Sequence, residues 1–125
     1  MRDFAIQLTH RPGELARVAA ALGRRGLNIK ALAGLAVGNT VLVRIIADDV
    51  ESARAALEDS RVRFEESEIV TVLLENRAGE LAEVCDKLAG AGVNLQAMYM
   101  TGLVDDLVEL AVVADDVKKA KRALE

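Results

Sequence analysis

The chain repeats itself, and that repeat restricts its possible folds more than any other feature. Arg11-Pro12-Gly13-Glu14-Leu15-Ala16 lies over Arg77-Ala78-Gly79-Glu80-Leu81-Ala82, and the match continues through Val18/Val84, Leu22/Leu88, Gly26/Gly92, Asn28/Asn94 and Ala31/Ala97. After one extra residue in the second copy it resumes at Val41/Val108. It then passes Ala47-Asp48-Asp49-Val50 over Ala114-Asp115-Asp116-Val117 and ends at Ala56-Leu57-Glu58 over Ala123-Leu124-Glu125. About twenty identities over roughly fifty-five positions exceed what shared composition produces. The two copies must therefore share one fold, and the chain divides into residues 1–67 and 68–125.

Each copy carries the same succession of periodicities. Phe4-Ala5-Ile6-Gln7-Leu8 alternates as a half-buried strand, and residues 69–74 are its more apolar counterpart. A helix follows, with Leu15, Val18 and Leu22 on one face, matched by Leu81, Val84, Cys85 and Leu88. Gly26 and Gly92 supply the left-handed position that ends such helices. Residues 28–37 and 40–47 read as two strands turning at Gly38-Asn39, and the second copy turns near Asp105-Asp106. Asp48-Asp49 and Asp115-Asp116 precede second helices over 50–58 and 117–124, which argues for capping over metal or acid–base chemistry. Val62-Arg63-Phe64-Glu65 adds a fourth strand to the first copy. The order is βαββαβ, an α+β fold of two ferredoxin-like units in tandem, the second lacking its last strand. Strand 69–74 is then expected at a sheet edge, where another surface has to cover it.

Composition removes several classes of function. Hydrophobic residues make up 52% of the chain, enough for packed cores, while Phe4, Phe64 and Tyr99 are its only aromatics. With a net charge of −4 and no stacking platform, the chain is not expected to bind nucleic acid. No apolar run reaches the roughly 20 residues that cross a bilayer, and the first residues show no signal-peptide pattern, so neither a membrane nor a secreted protein is expected. One cysteine cannot form an internal disulfide, which fits a cytoplasmic setting. Cys85 on the apolar stripe reads as core, and the single His10 has no acid or nucleophile beside it, which leaves no triad and no metal site. The lysine-rich end around Lys118, Lys119, Lys121 and Arg122 reads as a solvated face.

The chemistry that remains lies in the loop before each first helix. His10-Arg11-Pro12-Gly13-Glu14-Leu15-Ala16 with Gly26-Leu27-Asn28-Ile29, and Asn76-Arg77-Ala78-Gly79-Glu80-Leu81-Ala82 with Gly92-Val93-Asn94-Leu95, resemble the loop and strand-opening motifs of ACT domains. The resemblance covers nearly the whole chain and implies a stand-alone pair of ACT-like units. ACT domains are regulatory modules that bind amino acids, often at interfaces, and pass the signal to an enzyme. In those that bind amino acids an Asn commonly precedes the Arg-Pro-Gly and contacts the ligand. Asn76 fits that position and His10 departs from it, whereas Pro12 keeps the proline and Ala78 does not.

The residues themselves suit such a ligand. Gly13 and Gly79 let a ligand approach the backbone. The helix N-termini offer free N–H groups to a carboxylate, and Asn28 and Asn94 offer both donor and acceptor. An ordinary turn, with Glu14 and Glu80 complementing the helix dipole, is the competing reading. Loop and asparagine within one copy lie at opposite ends of a helix of about 12 residues, roughly 18 Å apart, too far for one small molecule. A site that uses both must draw them from different units, of one chain or of two. The candidate ligand residues are thus His10, Arg11, Pro12, Gly13, Leu15, Asn28 and Ile29, with Asn76, Arg77, Ala78, Gly79, Leu81, Asn94 and Leu95. Asn76, Gly79 and Asn28 form the stronger set, and His10 also reads as a plain loop-end residue.

The expected function is non-enzymatic: a regulatory protein that binds a small amino acid between ACT-like units and modulates amino-acid metabolism, without cofactor or metal. Expected partners are the amino acid, further copies in a homodimer or higher oligomer, and a separate metabolic enzyme. The alternative is an assembly or regulatory subunit of a biosynthetic enzyme with no ligand of its own. Catalytic acylphosphatase versions of the fold need a glycine-rich phosphate loop around an arginine, and metal-carrier versions need a Cys-x-x-Cys pair; both patterns are missing.

Overall fold

The computed structural model describes all residues, 1–125, in two compact units: Arg2–Ser67, and Glu68–Glu125 together with Met1.

In the Arg2–Ser67 unit, β1 (Arg2–Thr9), α1 (Glu14–Arg24), β2 (Ile29–Val37), β3 (Thr40–Ala47), α2 (Val50–Asp59) and β4 (Arg63–Glu68) follow in order. The sheet runs β2-β3-β1-β4, the order expected of a ferredoxin-like unit. β1 pairs antiparallel with β3 from Phe4↔Ile45 to Thr9↔Thr40. That register places Phe4, Ile6 and Leu8 on the same face as Val43 and Ile45, because side chains alternate along each strand. This face meets Val18 and Leu22 of α1 and Ala53, Ala56 and Leu57 of α2 in one buried cluster. Phe64 of β4 closes it, its ring centroid 5.9 Å from that of Phe4.

The Glu68–Glu125 unit repeats the plan with β5 (Val70–Glu75), α3 (Glu80–Gly90), β6 (Leu95–Val104), β7 (Leu107–Ala114) and α4 (Val117–Leu124). Its sheet is three-stranded, β5-β7-β6, with β5 at an edge. Val70, Leu74, Val84, Leu88, Leu110 and Val112 form its core. The extra residue of the second copy is a β-bulge: the register against β7 shifts between Met100↔Leu110 and Gly102↔Glu109, which leaves Thr101 unpaired. The Thr101 hydroxyl turns to the Glu109 carboxylate at 2.5 Å.

Helix termini show how closely the copies agree. α1 and α3 both close with a Schellman motif: Leu27 N–H donates to Leu22 O at 3.3 Å and Gly26 N–H to Gly23 O at 2.9 Å, while Val93 to Leu88 and Gly92 to Ala89 are both 3.0 Å. Gly26 and Gly92 take φ of 71° and 72° there, as the sequence predicts. Asp49 and Asp116 cap α2 and α4, accepting from Ser52 N–H and Lys119 N–H at 3.1 Å each. Those bonds hold the Asp49 carboxyl below its ordinary value, the Ser52 backbone N–H contributing most.

Three expectations need correction. Asp48 and Asp115 do not cap helices; they bind the backbone at Asn28 and Asn94, as described below. Cys85 is only half-buried. Leu15 and Leu81, assigned to the buried stripe, are 42% and 53% exposed. Both sit in the first helical turn, short of the residues that reach the core, so their side chains project to the rim. No helix is long and apolar enough to cross a membrane.

Candidate functional site

The candidate loops bridge the end of a strand and the start of a helix. In the Glu68–Glu125 unit, β5 ends at Glu75, residues 76–78 turn, and Gly79 enters α3 at φ 92°. Arg77 is exposed, yet its guanidinium is engaged by two carboxylates. Its Nε donates to Glu80 Oε1 at 2.6 Å and its Nη1 lies 3.0 Å from Glu75 Oε2. This clamp, with the Glu80 bond as its largest part, raises the guanidinium further above its ordinary pKa.

Beside the clamp lies a cleft of about 130 Å³ lined by Leu74, Asn76, Arg77, Leu81, Met100 and Leu110, among others. Asn76, Arg77 and Leu81 thus converge on one concavity, polar at the loop and apolar toward the strands. Gly79 and Ala78 stand outside its lining. Asn76 also borders a more open depression with Leu103, Asp106 and Leu107.

The Arg2–Ser67 unit differs. His10 N–H donates to Asn39 O at 2.8 Å, which ties the loop to the β2–β3 turn. Arg11 and Arg17 share Glu14, at 3.5 and 3.6 Å. A groove of about 100 Å³ follows α1, lined by Leu15 at its start, Val18 and Leu22 along it, and Leu27 and Ile29 beyond its end. His10, Arg11, Pro12 and Gly13 do not line it. This groove is apolar from end to end, unlike the Asn76 cleft.

Capping separates the two kinds of helix. α2 and α4 have side-chain caps, whereas α1 and α3, the helices that follow the candidate loops, have none; Gly13 and Gly79 stand at their N-cap positions. Glu80 N–H reaches Arg77 O at 3.5 Å, and the N–H groups of Glu14, Leu15, Ala16, Leu81 and Ala82 remain available to an outside acceptor. A Cβ at either glycine would meet nothing within 4 Å, so left-handed φ, at 88° and 92°, rather than crowding requires glycine there.

Asn28 and Asn94 lie beyond the far ends of α1 and α3. Each helix has 11 residues, about 16 Å of rise, so the loop and the asparagine of one unit do not share a small ligand. Both asparagines are clasped by the aspartate before the helix cap. Asn28 N–H donates to Asp48 Oδ1 and Asn94 N–H to Asp115 Oδ1, each at 3.1 Å. The Asn94 carboxamide is further engaged with Asp115 Oδ2 at 3.3 Å. Leu95, next to it, is 41% exposed. Sequence reasoning missed Asp48 and Asp115 in this role; the signal was their recurrence at a fixed distance from each asparagine. No three histidine, cysteine or carboxylate side chains gather in a cluster able to hold a metal ion.

No protein-family model matches the sequence, and no curated protein matches it. Solved structures do resemble it. A protein from Bacteroides thetaiotaomicron superposes with a TM-score of 0.88 at 24% identity, covering 98% of this chain and 85% of that one. The ligand-free regulatory subunit of aspartate kinase from Thermus thermophilus gives 0.68 at 17% identity, and its counterpart from Thermus flavus 0.67 at 18%, each covering 98% of this chain and 88% of the other. These likenesses, with the strand orders above, establish the fold: two α+β units in tandem, ferredoxin-like and of the ACT-like kind.

Proposed function

We propose that the chain is a non-enzymatic regulatory protein that binds a small amino acid at the Asn76 loop and modulates amino-acid metabolism through a separate enzyme. The observation that carries the reading is the convergence of Asn76, Arg77 and Leu81 on one cleft at the uncapped start of α3. Asn76 offers a donor and an acceptor, the first-turn N–H groups suit a carboxylate, and Leu81 with Met100 suits an aliphatic side chain. Arg77, already held by two carboxylates, braces the loop rather than taking the ligand. The structurally similar aspartate kinase subunits are regulatory by name, which agrees with the reading.

The second ligand contact comes from an asparagine of another ACT-like unit, supplied by a second copy of the chain in a homodimer or larger assembly. Asn28 suits this better than Asn94, because its carboxamide makes no bond to its aspartate. Ligand binding is then coupled to assembly. A thermal-shift panel of the common amino acids tests the proposal. One or a few should raise Tm in wild type and not in Asn76→Ala; a flat panel contradicts it.

A second reading is an assembly subunit without a ligand. The exposed apolar residues of the outer strands favour it: Leu35 and Val37 on β2, and Met100 and Leu103 on β6, the last two 69% and 70% exposed. A flat amino-acid panel combined with concentration-dependent association would select this alternative.

A further inference from the structure

A cleft of about 410 Å³ opens between α1 and the end of α2, within the size range of small-molecule pockets. Four arginines line it, Arg17, Arg24, Arg25 and Arg61, against a single carboxylate, Asp59. Arg17 Nη1 donates to Ser60 O at 2.8 Å, which holds it at the wall, and its Nη2 lies 3.6 Å from Glu14. Arg25 pairs with Asp59. The guanidinium groups of Arg24 and Arg61 have no hydrogen-bond or ion-pair partner, Arg61 bonding only through its backbone N–H to Glu58 O at 3.0 Å.

The fold does not need this cluster. In the second copy the positions of Arg17, Arg24 and Arg25 are held by Glu83, Gly90 and Ala91, yet α3 closes with the same Schellman motif as α1. Arg61 adds an independent sign. It follows the cap residue of α2 at φ 55°, the left-handed position that α1 and α3 give to Gly26 and Gly92. A side chain there is strained, and such strain tends to persist where function requires the residue. In a chain of net charge −4, four cations converge on one concavity.

We propose that this cleft binds a small diphosphate-bearing anion, with Arg24 and Arg61 as its direct ligands and Arg17 and Arg25 as positioned supports. Guanidinium forks match phosphate oxygens two bonds at a time. Three net positive charges along the lining suit a diphosphate and far exceed the charge of an amino-acid carboxylate, so this site is separate from the Asn76 cleft.

Calorimetric titration of inorganic pyrophosphate into the full chain at low salt tests it. Saturable one-to-one binding is expected, weakened about tenfold or more by Arg24→Gln and by Arg61→Gly, and unchanged by Lys118→Gln on α4. Arg61→Gly also relieves the strained φ, so its unliganded Tm should hold or rise, and lost binding cannot then be ascribed to unfolding. ATP binding with the same arginine dependence assigns the site to a nucleotide, whereas pyrophosphate binding alone assigns it to free diphosphate. No saturable heat, equal weakening by Lys118→Gln, or citrate binding as tightly as pyrophosphate would each overturn the proposal.

Discussion

Asn94 and Asp115 hold each other by three hydrogen bonds. Asn94 N–H donates to Asp115 Oδ1 at 3.1 Å, Asp115 N–H donates to Asn94 O at 3.1 Å, and the Asn94 carboxamide donates to Asp115 Oδ2 at 3.3 Å. Asn28 and Asp48 repeat the two backbone bonds without the third. The clasp ties the entry of β2 or β6 to the end of β3 or β7, and it leaves the two asparagines unequal. Asp115→Ala should cost about 1–2 kcal/mol and Asp48→Ala less, since one fewer charge-assisted bond is lost. Urea unfolding of the two variants checks the order.

Asp3 is fully buried, with Arg44 Nη1 at 3.2 and 3.0 Å from its two carboxylate oxygens. Arg44→Met takes the guanidinium away from this buried carboxylate and should destabilise the chain by about 3–5 kcal/mol. The second copy holds Ile69 and Ala111 at the equivalent positions, both buried. The double change Asp3→Ile with Arg44→Ala should therefore recover most of the loss. Denaturant midpoints of the single and double variants decide it.

One acid-sensitive contribution comes from Glu66, which accepts from Arg54 at 2.8 Å twice and from Arg2 at 2.6 Å. The Arg54 bonds, opposed by partial burial and aided by Arg2, pull its pKa from 4.5 to about 2. Between these values the unfolded chain binds the proton that the folded chain does not, so this stability is present above pH 4.5 and is lost as pH falls toward 2. Glu66→Gln should be less stable than wild type at pH 7, with the gap closing across that window. Thermal melts from pH 7 to 2 measure it.

Leu81 and Leu88 lie on the same helix, two turns apart, yet Leu88 is 1% exposed and Leu81 53%. Leu88→Ala should cost about 2–5 kcal/mol, as buried leucine truncations do. Leu81→Ala should change stability by less than about 1 kcal/mol and instead reduce the Tm shift produced by an amino acid. Equal destabilisation by both would remove the apolar role assigned to Leu81.

How much of this was legible depended on sequence distance. The strands, the four helices, the Gly26 and Gly92 closures and the Asp49 and Asp116 caps are local, set by a few adjacent residues, and repetition made each visible twice. The extra residue of the second copy was visible, but its meaning as a bulge at Thr101 needed the register against β7. Asp48 and Asp115 sit beside true caps and were read with them; their bonds reach 20 or 21 residues back, to a loop that only the folded sheet brings close. The Asp3–Arg44 pair and the arginine cleft likewise join segments with no local pattern. Leu15 and Leu81 misled because helical periodicity assigns a face but not how far along the helix the sheet still covers it.

The central claim is that the Asn76 loop and an Asn28 from a second copy together hold an amino acid. Its most direct test is calorimetric titration, into wild type, Asn76→Ala and Asn28→Ala, of whichever amino acid shifts Tm most. The account expects saturable binding to wild type and a loss of about tenfold or more in each variant, as follows from removing one hydrogen bond to a charged ligand. Unchanged affinity in both variants would contradict it.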